Sequence, residues 1–225
     1  MKINTNHLIT RLAVAATVIF SISSCKKDND EDLTLNSKLS FVNTVEGSVA
    51  QDVYINDLKV NTSAVAYTNT VTDVNTSSGS KTLSFKNTGT ATVAASANIS
   101  AEANSSHTVF LVKQANGSLA VNTYANDETT TSGKAKVRFI NVAPLLSNAI
   151  NVTTSVGTNL VSNLLFRTAS AYQTVDANTS LNITMTGSLE VTTIAGSELQ
   201  AGKNYIIWFD SSTSTKAKYH IVIQK

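Results

Sequence analysis

The sequence predicts an all-β protein: two tandem Greek-key, immunoglobulin-like β-sandwiches after a lipoprotein signal peptide. Three observations predict it. β-branched residues dominate the apolar set and no long stretch keeps a helical period, which favours strands. A pattern also recurs at one spacing. Lys38-Leu39-Ser40-Phe41-Val42-Asn43 matches Lys136-Val137-Arg138-Phe139-Ile140-Asn141, and 139 − 41 = 98. His107 to Val112 matches Tyr205 to Asp210 at the same shift, as Leu83-Ser84-Phe85 matches Leu181-Asn182-Ile183. A period this long means tandem domains, because solenoid repeats run roughly 20 to 50 residues. Finally, an apolar run near the start closes on the chain's one cysteine, Cys25.

Residues 1–24 have the three parts of an export signal. Lys2 and Arg11 give a positive start, and Leu12 to Ile22 is apolar. At about eleven residues that run is too short to span a bilayer. Ile22-Ser23-Ser24-Cys25 resembles a lipobox, in which an aliphatic and two small residues precede the cysteine that receives lipid. An unpaired thiol would otherwise be out of place in an oxidising compartment. Residues 25–37 read as an acidic flexible tether. Lys26, Lys27, Asp28, Asp30, Glu31 and Asp32 resemble the signal that sends Bacteroidota-type lipoproteins to the outer face of the outer membrane. Surface display is the expectation, with a periplasm-facing anchor as the other reading. A calcium loop does not fit, since Leu33 and Leu39 stand where glycine and a bidentate glutamate are required.

The first sandwich is expected over 38–125. Its strands are Lys38–Asn43, Asp52–Asn56, Thr70–Asn75, Lys81–Lys86, Ala91–Ala95, His107–Lys113 and Leu119–Tyr124. Residues 126–134 are polar and read as a flexible linker. The second sandwich, 135–225, repeats the plan with Ala135–Asn141, Ala149–Thr153, Ala171–Val175, Ser180–Thr186, Leu189–Ile194, Tyr205–Asp210 and Tyr219–Ile223. Leu83 and Phe85, like Leu181, Ile183 and Met185, alternate with polar residues and should face a core. Seven strands per copy is the count of an immunoglobulin-type sandwich.

Phe41-Val42-Asn43 followed by Asp52-Val53-Tyr54-Ile55-Asn56, and Phe139-Ile140-Asn141-Val142-Ala143-Pro144, carry a resemblance. So do Ala66-Tyr67, Ala171-Tyr172 and Ala201-Gly202-Lys203-Asn204-Tyr205. Together they resemble the domain of unknown function 4397 family, as two copies over nearly all of 38–225. The first copy departs from the pattern at Val45-Glu46 and at Asn104-Ser105-Ser106, the second at Ile150-Asn151-Val152. The resemblance implies a cell-envelope β-sandwich and carries no catalytic residues.

Charge removes one class of partner. The chain has 17 basic and 15 acidic residues. Lys2 and Arg11 leave with the leader, so the mature chain has 17 − 2 = 15 basic residues and no net charge. No electrostatic case for nucleic acid remains. Catalytic chemistry is not signalled either. His107 and His220 fall in different copies, and no zinc, CxxC or nucleophile-elbow pattern occurs. No cofactor, metal site or enzyme activity is expected.

Binding is the better class. Strand parity puts Tyr205, Ile207 and Phe209 on one face and Ile206 and Trp208 on the other. One set is core, and the other is exposed or meets the partner copy. Trp208, Tyr205 and Tyr172 are the candidate ligand contacts. The expectation is a lipid-anchored, non-catalytic binding, adhesion or structural module. Its partners would be the membrane, through Cys25, and a glycan or envelope protein. Two sharper readings are a glycan-binding accessory protein of a polysaccharide-uptake system and an assembly subunit acting by strand addition.

Overall fold

Strand β1, Asn36–Asn43, lies in the middle of a sheet, with Phe41 opposite Val71 of β4 on one side and Val109 of β7 on the other. The computed structural model describes residues 36–224. The leader, Cys25, the acidic residues from Lys26 to Asp32 and the expected tether up to residue 35 lie outside the described residues.

Eight strands form the first copy: β1, β2 (Gln51–Ile55), β3 (Leu58–Lys59), β4 (Thr70–Ser77), β5 (Gly79–Asn87), β6 (Val93–Ala101), β7 (Ser106–Lys113) and β8 (Leu119–Ala125). They make two sheets, ordered β4-β1-β7-β8 and β3-β2-β5-β6. The second copy repeats them as β9 (Lys134–Asn141), β10 (Ile150–Thr154), β11 (Asn159–Leu164), β12 (Gln173–Asp176), β13 (Leu181–Met185), β14 (Val191–Ile194), β15 (Asn204–Asp210) and β16 (Lys218–Ile223). Their sheets run β12-β9-β15-β16 and β11-β10-β13-β14, the same order eight strands on.

Both copies are β-sandwiches, with one strand more than the seven expected. The extra strands are β3 and β11. An immunoglobulin constant-type sandwich puts four strands on three. Here each copy puts four on four, and its first strand runs parallel to its seventh. β3 exists because Asn56 (φ 47°) and Asp57 (φ 62°) make a two-residue hairpin turn that reverses β2 onto Leu58. β6 also starts later than expected and runs on to Ala101, because residues 87–92 are used by the turn around Gly89 (φ 75°).

The motif asparagines have a structural role. Asn43 accepts the Val45 N–H at 3.0 Å and donates to the Val65 carbonyl at 3.1 Å. Asn141 accepts the Ala143 N–H at 3.0 Å and donates to the Leu164 carbonyl at 3.1 Å. Each is buried and ties the end of the first strand of its copy to a loop. At the start of β15, Gly202 (φ 72°) donates to the Lys134 carbonyl. In the first copy Asn104 (φ 56°) makes the equivalent bond to the Asn36 carbonyl. Asparagine tolerates that left-handed conformation better than most residues, so the missing glycine is replaced without loss of the turn.

Three apolar cores follow. Leu39, Phe41, Val53, Leu83, Phe85, Val109 and Leu111 fill the first sandwich, with Phe41 and Phe85 edge to face at 6.1 Å. Val137, Phe139, Ile150, Val152, Leu181, Ile183, Ile207 and Phe209 fill the second. The third core lies between the copies. Val42, Phe110 and Val112 meet Ile140, Val142, Ile206, Trp208 and Val222. The sheets containing β1 and β9 thus pack outer face to outer face, giving four layers in one compact unit. β7 and β15 are buried on both faces, which explains why Phe110-Leu111-Val112 and Tyr205 to Phe209 do not alternate with polar residues.

The connection between β8 and β9, expected as a flexible linker, is hydrogen-bonded within itself and to the second copy. Asp127 accepts from the Thr129 hydroxyl at 2.6 Å, the Thr129 N–H at 2.9 Å and Lys136 Nζ at 2.9 Å. Asn204 on β15 donates to the carbonyls of Asp127 and Thr129 at 2.6 and 3.0 Å. A polar composition here serves local hydrogen bonding.

Candidate functional site at the seam between the two copies

Two loops from each copy meet at one end of the seam. Thr44–Glu46 follows β1, and Val142–Leu145 follows β9. Lys113–Gly117 follows β7, and Asp210–Ser212 follows β15. Together they wall a cleft of about 540 Å³. Its position follows from the repeat, because the same two loops of each sandwich are brought together when the β1 and β9 sheets pack. One wall carries Glu46, Gln114 and Asn116, another the apolar Val142, Pro144 and Leu145. Leu145 is 56% exposed, although it is a large apolar residue.

A polar network crosses the seam beneath this cleft. Glu46 accepts from Ser212 Oγ and from Lys218 Nζ, both at 3.0 Å. Lys218 Nζ lies 3.2 Å from the Tyr67 hydroxyl, which donates to Asp210. His220 Nε2 is 3.1 Å from the other Asp210 oxygen, and its ring stacks on Trp208 at 4.0 Å. Glu46 and Tyr67 belong to the first copy, the rest to the second. Burial, then the bond to Asp210, pushes the Tyr67 hydroxyl up to about 12. Hydrogen bonds from Lys218 and Ser212 hold Glu46 below the usual carboxylate range. Burial alone would lower Lys218, but its bonds to Glu46 and Tyr67 outweigh that and raise it. The bonds of Glu46 to Ser212 and Lys218, and of Tyr67 to Asp210 and Lys218, each join the first copy to the second. Among the described residues no three His, Cys, Asp or Glu side chains converge as a metal site.

Two of the three candidate ligand contacts need correction. Trp208 is fully buried, and Tyr205 is 1% exposed. Trp208 is on the face that meets the other copy, edge to face with Tyr67 at 6.4 Å. Tyr205 points into the second sandwich, where its hydroxyl accepts the Gln200 N–H at 2.8 Å. Trp208 cannot touch a ligand while the seam is closed, nor Tyr205 while the second sandwich is folded. Tyr172 is half-buried, away from the cleft, and bonds Gln224 at 2.7 Å. The Arg138 guanidinium lies 5.4 Å from the Tyr124 ring and 5.3 Å from the Tyr172 ring, and it donates to the Ala125 carbonyl at 2.8 Å. Those contacts are a second fastening across the seam. The three aromatics are not brought together. Of the loops that wall the cleft, one holds a motif legible in the sequence, Val142-Ala143-Pro144, but that motif does not mark a site, since the proximity of the four loops depends on how the copies pack.

A family model described as "Domain of unknown function (DUF4397)" matches residues 37–153, the whole first copy and the first two strands of the second. No curated protein matches the chain. Among solved structures, the chain is similar to CBMbc (family CBM26) from Eubacterium rectale Amy13K in complex with maltoheptaose. The identity is 12% and the TM-score 0.27, over 82% of this chain and 96% of that one. It is also similar to a streptococcal virulence factor described as binding alpha-glucan, at 8% identity and a TM-score of 0.26 over the same shares. Likenesses at that level carry no argument about ligand.

Proposed function

The chain belongs to the domain of unknown function 4397 family, and on that premise we propose that it is a lipid-anchored, non-catalytic binding module of the cell envelope, holding a glycan in the cleft at the seam. The cleft itself carries the reading. At about 540 Å³ it is within the size range of small-ligand sites, roughly 300–1,000 Å³. Amide, hydroxyl and carboxylate side chains suit the hydroxyls of a sugar, and the wall of Val142, Pro144 and Leu145 suits the apolar face of its ring. The cross-seam network holds the loops in place before a ligand arrives, which lowers the ordering cost of binding. Anchoring rests on Ile22-Ser23-Ser24-Cys25, and display on the outer membrane surface rests on the acidic run after it.

A glycan array probed with the full chain in detergent tests the cleft. One glycan class should bind, and Leu145→Asp or Gln114→Ala should weaken it by about tenfold, equivalent to about 1.4 kcal/mol. Absence of any glycan binding, or binding indifferent to both changes, would sink the reading. Cys25→Ala should release the chain from membranes and abolish incorporation of an acyl label. Continued membrane association would remove the anchor, and protease shaving of intact cells separates outward from periplasm-facing display.

A further inference from the structure

The cleft at the seam is built from equivalent segments of the two copies, and its halves differ in charge. At the shift of 98, Thr44–Glu46 corresponds to Val142–Pro144, and Lys113–Gln114 to Ser211–Ser212. Both acids of the lining, Glu46 and Asp210, lie on one half, where Glu46 meets Ser212 at 3.0 Å. They are already answered. The two carboxylates share Lys218, at 3.0 and 3.8 Å. Asp210 also accepts from Tyr67 and lies 3.1 Å from His220 Nε2. The counterparts of these groups cannot ionise. Pro144 stands for Glu46, Val112 for Asp210, Ala120 for Lys218 and Asn122 for His220.

The other half, Val142–Leu145 with Lys113–Gly117, lines the cleft with a cation and no acid. Lys113 ends β7, is exposed, and makes no ion pair among the described residues. Arg167 reaches the same wall from the second copy, where its guanidinium donates to Gln114 Oε1 at 3.4 Å. It too has no carboxylate within ion-pair distance among the described residues. One polar group of the lining is also left over. Ser211 is 7% exposed, and its hydroxyl finds no hydrogen-bond partner in the protein. Buried polar groups are almost always paired, so an unpaired one in the wall of a cleft points to a ligand.

On the reading of this cleft as a glycan site, we propose that its glycan is acidic: a uronic acid, with its carboxylate at Lys113 and Arg167 and its hydroxyls toward Glu46 and Ser211. A planar carboxylate takes two parallel N–H bonds from a guanidinium, which makes Arg167 the selective partner and Lys113 a point charge beside it. Pro144 and Leu145 meet the apolar face of the ring. The uneven charge gives the sugar one direction in the cleft. Reversed, its carboxylate would face Glu46 and Asp210.

Binding of tetrasaccharides to the full chain in detergent tests the charge. Tetragalacturonate or tetramannuronate should bind about tenfold more tightly than its methyl ester, in which the same sugar is neutral. Lys113→Ala and Arg167→Gln should each weaken the acid by about tenfold and leave the ester unchanged, with unchanged melting temperatures showing that both variants fold. Ser211→Ala should weaken acid and ester alike without lowering the melting temperature, because the hydroxyl it removes has no partner in the protein. An acid that binds the Lys113→Ala, Arg167→Gln double variant as tightly as the native chain overturns the proposal. Maltotetraose or cellotetraose binding as well as the acids, and lost on Leu145→Asp, keeps the glycan cleft but overturns the acidic ligand. Preference for a sulfated carrageenan tetrasaccharide over both uronates overturns the carboxylate assignment. No binding of any of these removes the glycan cleft and the acidic ligand together.

Discussion

Trp208 shows how one residue can matter for stability without touching ligand. It is the only tryptophan, and its ring is enclosed by Tyr67, His220 and the apolar residues of the seam. Trp208→Ala should cost about 3–5 kcal/mol, the usual range for removing a large buried aromatic, read as a lower urea midpoint by circular dichroism. Loss of glycan binding in that variant would therefore report an opened seam. Leu145 is the better probe, since its exposed side chain contributes little to packing. Asn43 and Asn141 make the complementary point. Each ends an expected strand, and both are buried because their amides satisfy backbone groups that would otherwise have no partner.

At the level of elements, the β8–β9 connection has a pH dependence with a defined sign. The Thr129 hydroxyl, then Lys136, hold the Asp127 carboxyl down at about 2, against an ordinary 3.8. A depressed carboxyl contributes stability above its ordinary value and loses it as pH falls through the folded value. Amide exchange at Thr129, corrected for intrinsic rates, should therefore speed up between about pH 4 and pH 2. Asp127→Asn should remove that step, and an unchanged step would show that another group causes it. Strand legibility also divides by element. β1, β5, β7, β9, β13 and β15 are legible because their apolar residues recur at a shift of 98. β3 is hidden because two residues carry no period, although Asn56-Asp57 was a readable turn. β6 is blurred because alanine, serine and asparagine have weak strand preference. For the site, parity separates Trp208 from Tyr205. The unalternating apolar run from Tyr205 to Phe209 is the readable sign that both faces of β15 are covered. Which surface covers Trp208, and hence where the cleft opens, depends on packing between copies that no local pattern encodes.

Across the whole molecule, the seam joins two sandwiches into one cooperative body. Val42, Phe110, Ile206 and Trp208 would face water if either copy unfolded, so each copy loses part of its stability with the other. Heat or urea should give one transition, with Trp208 fluorescence and far-ultraviolet circular dichroism coinciding. A fluorescence change that precedes loss of strand signal would mean that the seam opens first. The position of β1 has a mechanical consequence. The chain enters the described body at Asn36, and Lys38 is already paired on both sides, with Asn75 and with Ser106. A load arriving through the N-terminal segment runs along a central strand. It must shear two ladders together, where an edge strand would peel open one bond at a time.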